Sequence, residues 1–181
     1  MPLIKNGTLV EDDWARVIDG APLPDADALL LPLDVWQDTR DALIASGKRL
    51  GILLAADQPP ELIAGDIDRF DLVALDFPTF KDGRAYSYAR LLRERHGYTK
   101  ELRAVGHVLR DQFSFMRRCG FDAFEVADGA SAEHWARAMT EISRVYQPAT
   151  DRRRTIATLR HRRSATSTAT PGEAAPVSSW A

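Results

Sequence analysis

An α/β fold with a mostly parallel sheet follows from three observations on this 181-residue chain. Short apolar runs alternate with stretches of helical period; the apolar runs lack in-and-out alternation; and glycine or proline stands at most junctions. A strand without alternation is one buried on both faces, which is how parallel strands read when helices cover the sheet. The pattern predicts about five βα units in an open three-layer or partial-barrel form, preceded by a β-hairpin. Five units are too few for a complete eight-stranded barrel.

Each element has its own signal. Ile4-Lys5-Asn6-Gly7-Thr8-Leu9-Val10 carries Asn-Gly between two apolar-containing arms, a tight hairpin turn expected to cover an edge or end of the main domain. Residues 19–27 form a Pro/Asp-rich connector. Leu29–Leu33 reads as a buried strand and Val35–Ser46 as a helix stopped by Gly47. Leu50–Ala55 is the second strand, and Pro59-Pro60 opens a helix expected to reach Phe70. Leu72–Phe77 and Leu102–Val105 are the third and fourth strands, followed by helices over Ser87–His96 and Val108–Cys119. Phe121–Val126 is a fifth strand and Ala132–Val145 the last helix. Residues 1–150 are thus expected to form one domain. Residues 151–181, rich in Arg, Ser, Thr, Ala and Pro without apolar period, are expected to be a disordered tail.

A net charge of −2 conceals strong segregation. Residues 1–83 hold seven Lys+Arg against sixteen Asp+Glu, whereas residues 84–118 hold nine against three. A block of +6 inside a folded domain favours anions or an acidic partner surface, and two solvated helix faces would produce the same count. The Arg clusters at 152–154 and 160–163 read as a solvated tail rather than a nucleic-acid contact, so nucleic acid is not an expected partner. No run of about 18 apolar residues exists to span a membrane and no secretory leader is visible, so a cytoplasmic location is expected.

Several chemistries lack their motifs. Neither a dinucleotide fingerprint nor a phosphate-binding P-loop is present. The four histidines are scattered without metal-ligand spacing, and the lone Cys119 excludes an intrachain disulfide. Flanking arginines would depress the Cys119 pKa if the thiol were exposed; a buried structural thiol is the favoured reading. No cofactor is evident.

In parallel sheets ligands collect at the carboxyl ends of strands. After the third strand comes Asp82-Gly83-Arg84, with Ser87 placed to cap the following helix. After the fourth come Gly106 and His107, with Arg110, Asp111 and Gln112 next; His107 and Asp111 are spaced so that a carboxylate could reach the imidazole. Arg84, His107 and Arg110 are therefore candidates for an oxyanion pocket, unless Asp111 instead pairs with Arg103 or Arg84. Arg90 and Arg93 share a helix stripe with Arg84. Phe113, Phe115, Met116, Phe121 and Phe124 have the spacing of core, and a Phe113/Phe115/Met116 face remains a candidate docking surface.

Long motifs carry a resemblance. Leu3–Gly7, Phe77–Arg93, Gly97-Tyr98, Glu101–Gly106, Val108–Gln112 and Arg118–Glu125 are similar to a family of uncharacterised bacterial proteins described as oxidoreductases involved in sulfite reduction. The resemblance runs from Leu3 to about Pro148. It implies an uncharacterised cytoplasmic protein of sulfur assimilation, with sulfite reductase or another sulfur-assimilation protein as partner. That family commonly has aspartate where this chain has His107, which directs attention to Arg84, Ser87, Arg90, Arg103, Arg110, Asp111 and Gln112. Catalytic residues are not implied. Three functions stay in view: an accessory protein using a basic face for an acidic redox partner or small oxyanion, an oxidoreductase acting on a small sulfur oxyanion, and an adaptor docking through an apolar helix face.

Overall fold

The computed structural model describes residues 2–127, 133, 135, 137–138, 145–151 and 155–158. Eight strands form one sheet: β1 (Leu3–Lys5), β2 (Thr8–Val10), β3 (Ala15–Arg16), β4 (Ala28–Pro32), β5 (Arg49–Leu54), β6 (Phe70–Phe77), β7 (Glu101–Gly106) and β8 (Ala123–Glu125). Their spatial order is β2-β1-β8-β7-β6-β5-β4-β3. From β3 to β8 every neighbouring pair is parallel, while the hairpin β1–β2 joins the β8 edge antiparallel. Asn6 and Gly7 both have positive φ, as the tight turn requires.

The parallel strands follow chain order without reversal, so each right-handed crossover steps the same way round. All connecting segments therefore fall on one face, and the sheet curls into a half-barrel. Of the two forms expected, the partial barrel is the one observed, with its helices on one face. The convex side carries α1 (Leu33–Ala45), α2 (Arg84–Arg90, continued by a wider turn over Leu91–Arg95) and α3 (Phe113–Cys119). There Leu29, Leu31, Ile52, Val73, Leu75 and Phe124 of the strands pack against Trp36, Leu43, Ala89, Leu92, Phe113 and Met116. The alternate strand residues Leu30, Leu72, Ala74 and Val105 face the concave side under Trp14. The parallel strands read as apolar runs because their convex residues are core and Leu30, Leu72, Ala74 and Val105 are buried on the concave side as well, although only one face is dressed with helices.

Three elements differ from expectation. Residues 60–69 fold as two 3₁₀ turns, Pro60–Ile63 and Ile67–Arg69, rather than one helix; Gly65, between the two turns, disfavours a continuous helix there. The helix expected from Val108 begins at Phe113 after a 3₁₀ turn over Arg110–Gln112. Strand β3 carries no sequence signal beyond two residues and was not expected. Gly51 lets Trp14 lie against β5: a Cβ there would stand 3.0 Å from the Trp14 ring and 3.1 Å from Leu72.

Residues 147–151 are attached to the end of α3, where Arg118 pairs with Asp151 at 3.5 Å. Arg118 donates to the Gln147 carbonyl, Thr150 donates to the Arg118 carbonyl, and Val145 pairs with Thr155. The helix expected over Ala132–Val145 is seen at Glu133, Trp135, Arg137 and Ala138, and Val145 lies past it in an isolated bridge; the remaining residues of that span, and the tail from residue 159, lie outside the described residues.

Candidate functional site

The sequence-predicted residues divide between the outside and the inside of the fold. Arg84 opens α2 and is exposed, its guanidinium held by Asp82 at 2.7 Å. That partner raises the Arg84 pKa above its ordinary value, and Arg84 in turn holds the Asp82 carboxyl down. Arg90 is exposed one turn of helix beyond Ser87 and reaches Glu94 at 3.2 Å. Ser87 is not the cap expected: it sits inside α2, because the helix starts three residues earlier at Arg84. Ser87, Arg90, Leu91, Glu94 and Arg95 line one shallow depression on this helix.

His107, Arg110 and Asp111 are exposed on the connection after β7, and Gln112 is half-buried there. His107 donates its backbone N–H to the Phe77 carbonyl at 2.7 Å. No hydrogen bond or ion pair joins the His107 and Asp111 side chains among the described residues, so the spacing in sequence does not become a contact. Neither does Asp111 pair with Arg103 or Arg84, whose partners lie elsewhere.

Arg103 is the largest departure. It points into the concave face and is fully buried. Its Nη1 meets Asp12 at 2.8 Å, its Nη2 meets Glu101 at 2.8 Å, and Glu125 stands 3.8 Å away. Burial opposes its charge, but pairing with Asp12 and Glu101 outweighs this and holds its pKa above the ordinary value. Arg103 therefore does not join Arg84 and Arg110 on the outside. Arg93 is likewise committed: it donates to the carbonyls of Gly120, Tyr98 and Lys100 and pairs with Asp122 at 2.9 Å.

Of this apolar set, Phe113, Met116, Phe121 and Phe124 are core, and Phe115 alone is exposed, its ring tilted against Tyr86 with centroids 4.9 Å apart. The candidate Phe113/Phe115/Met116 docking face thus presents a single side chain. Cys119 is buried, and burial pushes its thiol pKa up despite Arg90 and Arg118 nearby.

Sequence reasoning missed the polar lining of the concave face. Lys5, Arg16, Asp76, Glu101, Arg103 and Glu125 alternate with the convex core residues along β1, β3, β6, β7 and β8. Lys5 pairs with Glu101 at 2.7 Å, and Arg16 reaches Glu125 across the curl. The link Glu11–Trp14 spans the seam between edge strands β2 and β3, fastened by Asp12 to Arg103. Asp76, near the carboxyl end of β6, has no ion-pair partner among the described residues. Burial pushes its carboxyl pKa up, against the Arg16 charge and the Phe77 N–H. The available signal was a charged residue interrupting each apolar run: Asp76 in Leu72–Phe77, Arg103 in Leu102–Val105, Glu125 in Phe121–Val126.

Among the described residues no three His, Cys, Asp or Glu side chains converge to hold a metal ion, and no helix is long and apolar enough to cross a membrane. No curated protein matches the chain significantly. Residues 51–157, running from β5 through the segment that pairs with Val145, match the model of a bacterial protein family of unknown function, DUF934, and the chain belongs to that family.

Proposed function

We propose that this protein is an accessory or partner protein in assimilatory sulfite reduction, docking an acidic redox partner through the exposed cations of α2 and the turn before α3. The observation that carries the docking surface is the outward charge of residues 81–118. Lys81, Arg84, Arg90, Arg95, Arg110 and Arg117 are exposed there against the exposed carboxylates Glu94 and Asp111. The pathway rests on the motif resemblance from Phe77 to Arg93 and from Val108 to Gln112, not on a redox group.

A macromolecular partner is favoured over a small sulfur oxyanion because these cations are distributed along a convex helix face. The one arginine that would converge with others in a dry pocket, Arg103, is neutralised inside. Distributed exposed charge steers association and fixes orientation, and is screened by salt over about 8–10 Å.

The test is sulfite-dependent consumption of reductant by the host's sulfite reductase, with and without this protein, together with co-elution at low and high salt. Stimulation and co-elution that disappear at about 0.3 M salt, and in an Arg84→Gln/Arg90→Gln/Arg110→Gln variant, are expected. No stimulation and no co-elution at low salt would overturn the reading.

A further inference from the structure

The α2 face is not uniformly charged. Ser87, Arg90, Leu91, Glu94 and Arg95 line a depression of about 530 Å³ on it. Their spacing of three and four residues puts them on one stripe of the helix, with the half-buried Leu91 as its apolar member. The last turn is widened: His96 donates its backbone N–H to the Leu91 carbonyl, five residues back, at 3.0 Å. Turns of this form recur at functional sites. Here the widened turn carries Arg95, which borders the depression together with Arg90. The stems of two arginines thus flank an apolar floor, while their charged ends stay in water.

The two cations of the rim are differently engaged. Arg90 meets Glu94 of its own helix at 3.2 Å, an exposed pair of the kind that exchanges one carboxylate for another at little cost. Arg95 is exposed and has no ion-pair partner among the described residues. A second apolar foothold lies on the other side of Arg90. Tyr86, one helical turn before it, carries the exposed Phe115 ring with centroids 4.9 Å apart. A wholly polar ligand would leave Leu91 and Phe115 wet. A wholly apolar one would take Arg95 out of water without a counter-charge. Asp82 and Glu94, interleaved with the arginines, would oppose the phosphates of a nucleic acid.

We propose that this stripe of α2 receives an acidic peptide segment of the partner that carries a large aliphatic or aromatic anchor. The anchor sits over Leu91, and carboxylates on either side of it reach Arg90 and Arg95. The proposal rests on the docking reading above and adds the apolar half of the motif that the partner must present. Charged contacts guide encounter and set orientation, while an anchor shielded from water between two arginine stems slows release.

The test is fluorescence-anisotropy titration of the full chain, at low salt, with designed acidic peptides that differ at one central position: leucine or phenylalanine against alanine. A further peptide has its carboxylates replaced by the amides Asn and Gln. The anchored acidic peptide should bind about tenfold or more tightly than its alanine form, and the amide form should not bind measurably. Ser87→Trp fills the depression and Leu91→Asn makes its floor polar; circular dichroism confirms that both variants fold. Each should erase the preference for the anchor and leave the weaker, salt-sensitive binding of the alanine peptide in place. Equal binding of the anchored and alanine peptides, or a preference untouched by both variants, would overturn the proposal and leave the docking reading intact. Failure of every acidic peptide to bind, or tighter binding of a single-stranded oligonucleotide, would overturn it as well. Co-elution with sulfite reductase then decides the docking reading separately.

Discussion

Replacing Arg103 with methionine keeps an unbranched apolar stem in the concave face and deletes the charge that Asp12, Glu101 and Glu125 share. Removing one partner from a buried ion pair costs about 3–5 kcal/mol, since the remaining charge stays dry and unpaired. The surroundings place Arg103→Met at the lower end, about 3 kcal/mol. Glu101 keeps Lys5, Glu125 keeps Arg16, and Asp12 is close enough to solvent to rehydrate. Against a total stability of about 5–15 kcal/mol, that is a large fraction. The assay is urea unfolding with an unchanged m-value at pH 7. Arg103→Met/Glu101→Gln should recover part of the loss. A loss below about 1 kcal/mol would refute the argument and class this network with those that apolar side chains replace without penalty.

Three further outcomes follow from the same geometry. Gly106→Ala should cost about 2–4 kcal/mol in urea unfolding, because φ is 84° and the new Cβ would meet Asp76 Oδ1 at 2.5 Å and the Phe77 carbonyl oxygen at 2.7 Å; Asp76→Ala should rescue only part of this, since the backbone clash remains. Asp66 accepts Arg40 at 2.8 and 2.6 Å, and that hydrogen bond holds its carboxyl below the ordinary range. The stability it contributes is present above the unfolded carboxylate pKa and lost as pH falls through the lower folded one, so Asp66→Asn should destabilise at pH 7 and become indistinguishable from the parent in strong acid by thermal unfolding. Cys119, buried with its pKa pushed up, should react with a disulfide reagent about 10²-fold more slowly in the native protein than in urea; equal rates would refute its burial.

Most of the fold was legible because its signals are local. Asn6-Gly7 dictates the hairpin, and the apolar runs between glycines dictate β4 to β8. The side on which each helix lies was not legible, because a strand buried by helices and one buried by the curl of its own sheet have the same composition. Ser87 looked like a cap because Asp82-Gly83 reads as a turn that ends before a helix. The turn is there, but Arg84 already occupies the first helical position, its backbone N–H accepted by Asp82 Oδ1. The polar half of the concave face depends on pairings such as Asp12–Arg103 and Arg16–Glu125, ninety-one and one hundred and nine residues apart in the chain. No periodicity encodes those separations.

The segregation of charge along the chain now has a physical account with two parts. Basic residues of the middle block are partly discharged by carboxylates outside it: Arg103 by Asp12, Lys100 by Asp71, Arg93 by Asp122, Arg84 by Asp82. Excess positive charge between residues 84 and 118 is thus in part a device for bringing distant segments together, and a net charge of +6 overstates what a partner would meet. Arg93 and Arg103 face inward and bond carbonyls or buried carboxylates; Arg84 and Arg90 face outward with one carboxylate each. The two groups should separate cleanly by experiment. Neutralising the outward pair should leave the unfolding midpoint nearly unchanged and alter only salt-sensitive association. Neutralising the inward pair should lower the midpoint whatever the partner. If the outward variant unfolds as readily as the inward one, those arginines serve the fold, and the docking surface proposed on α2 loses its basis.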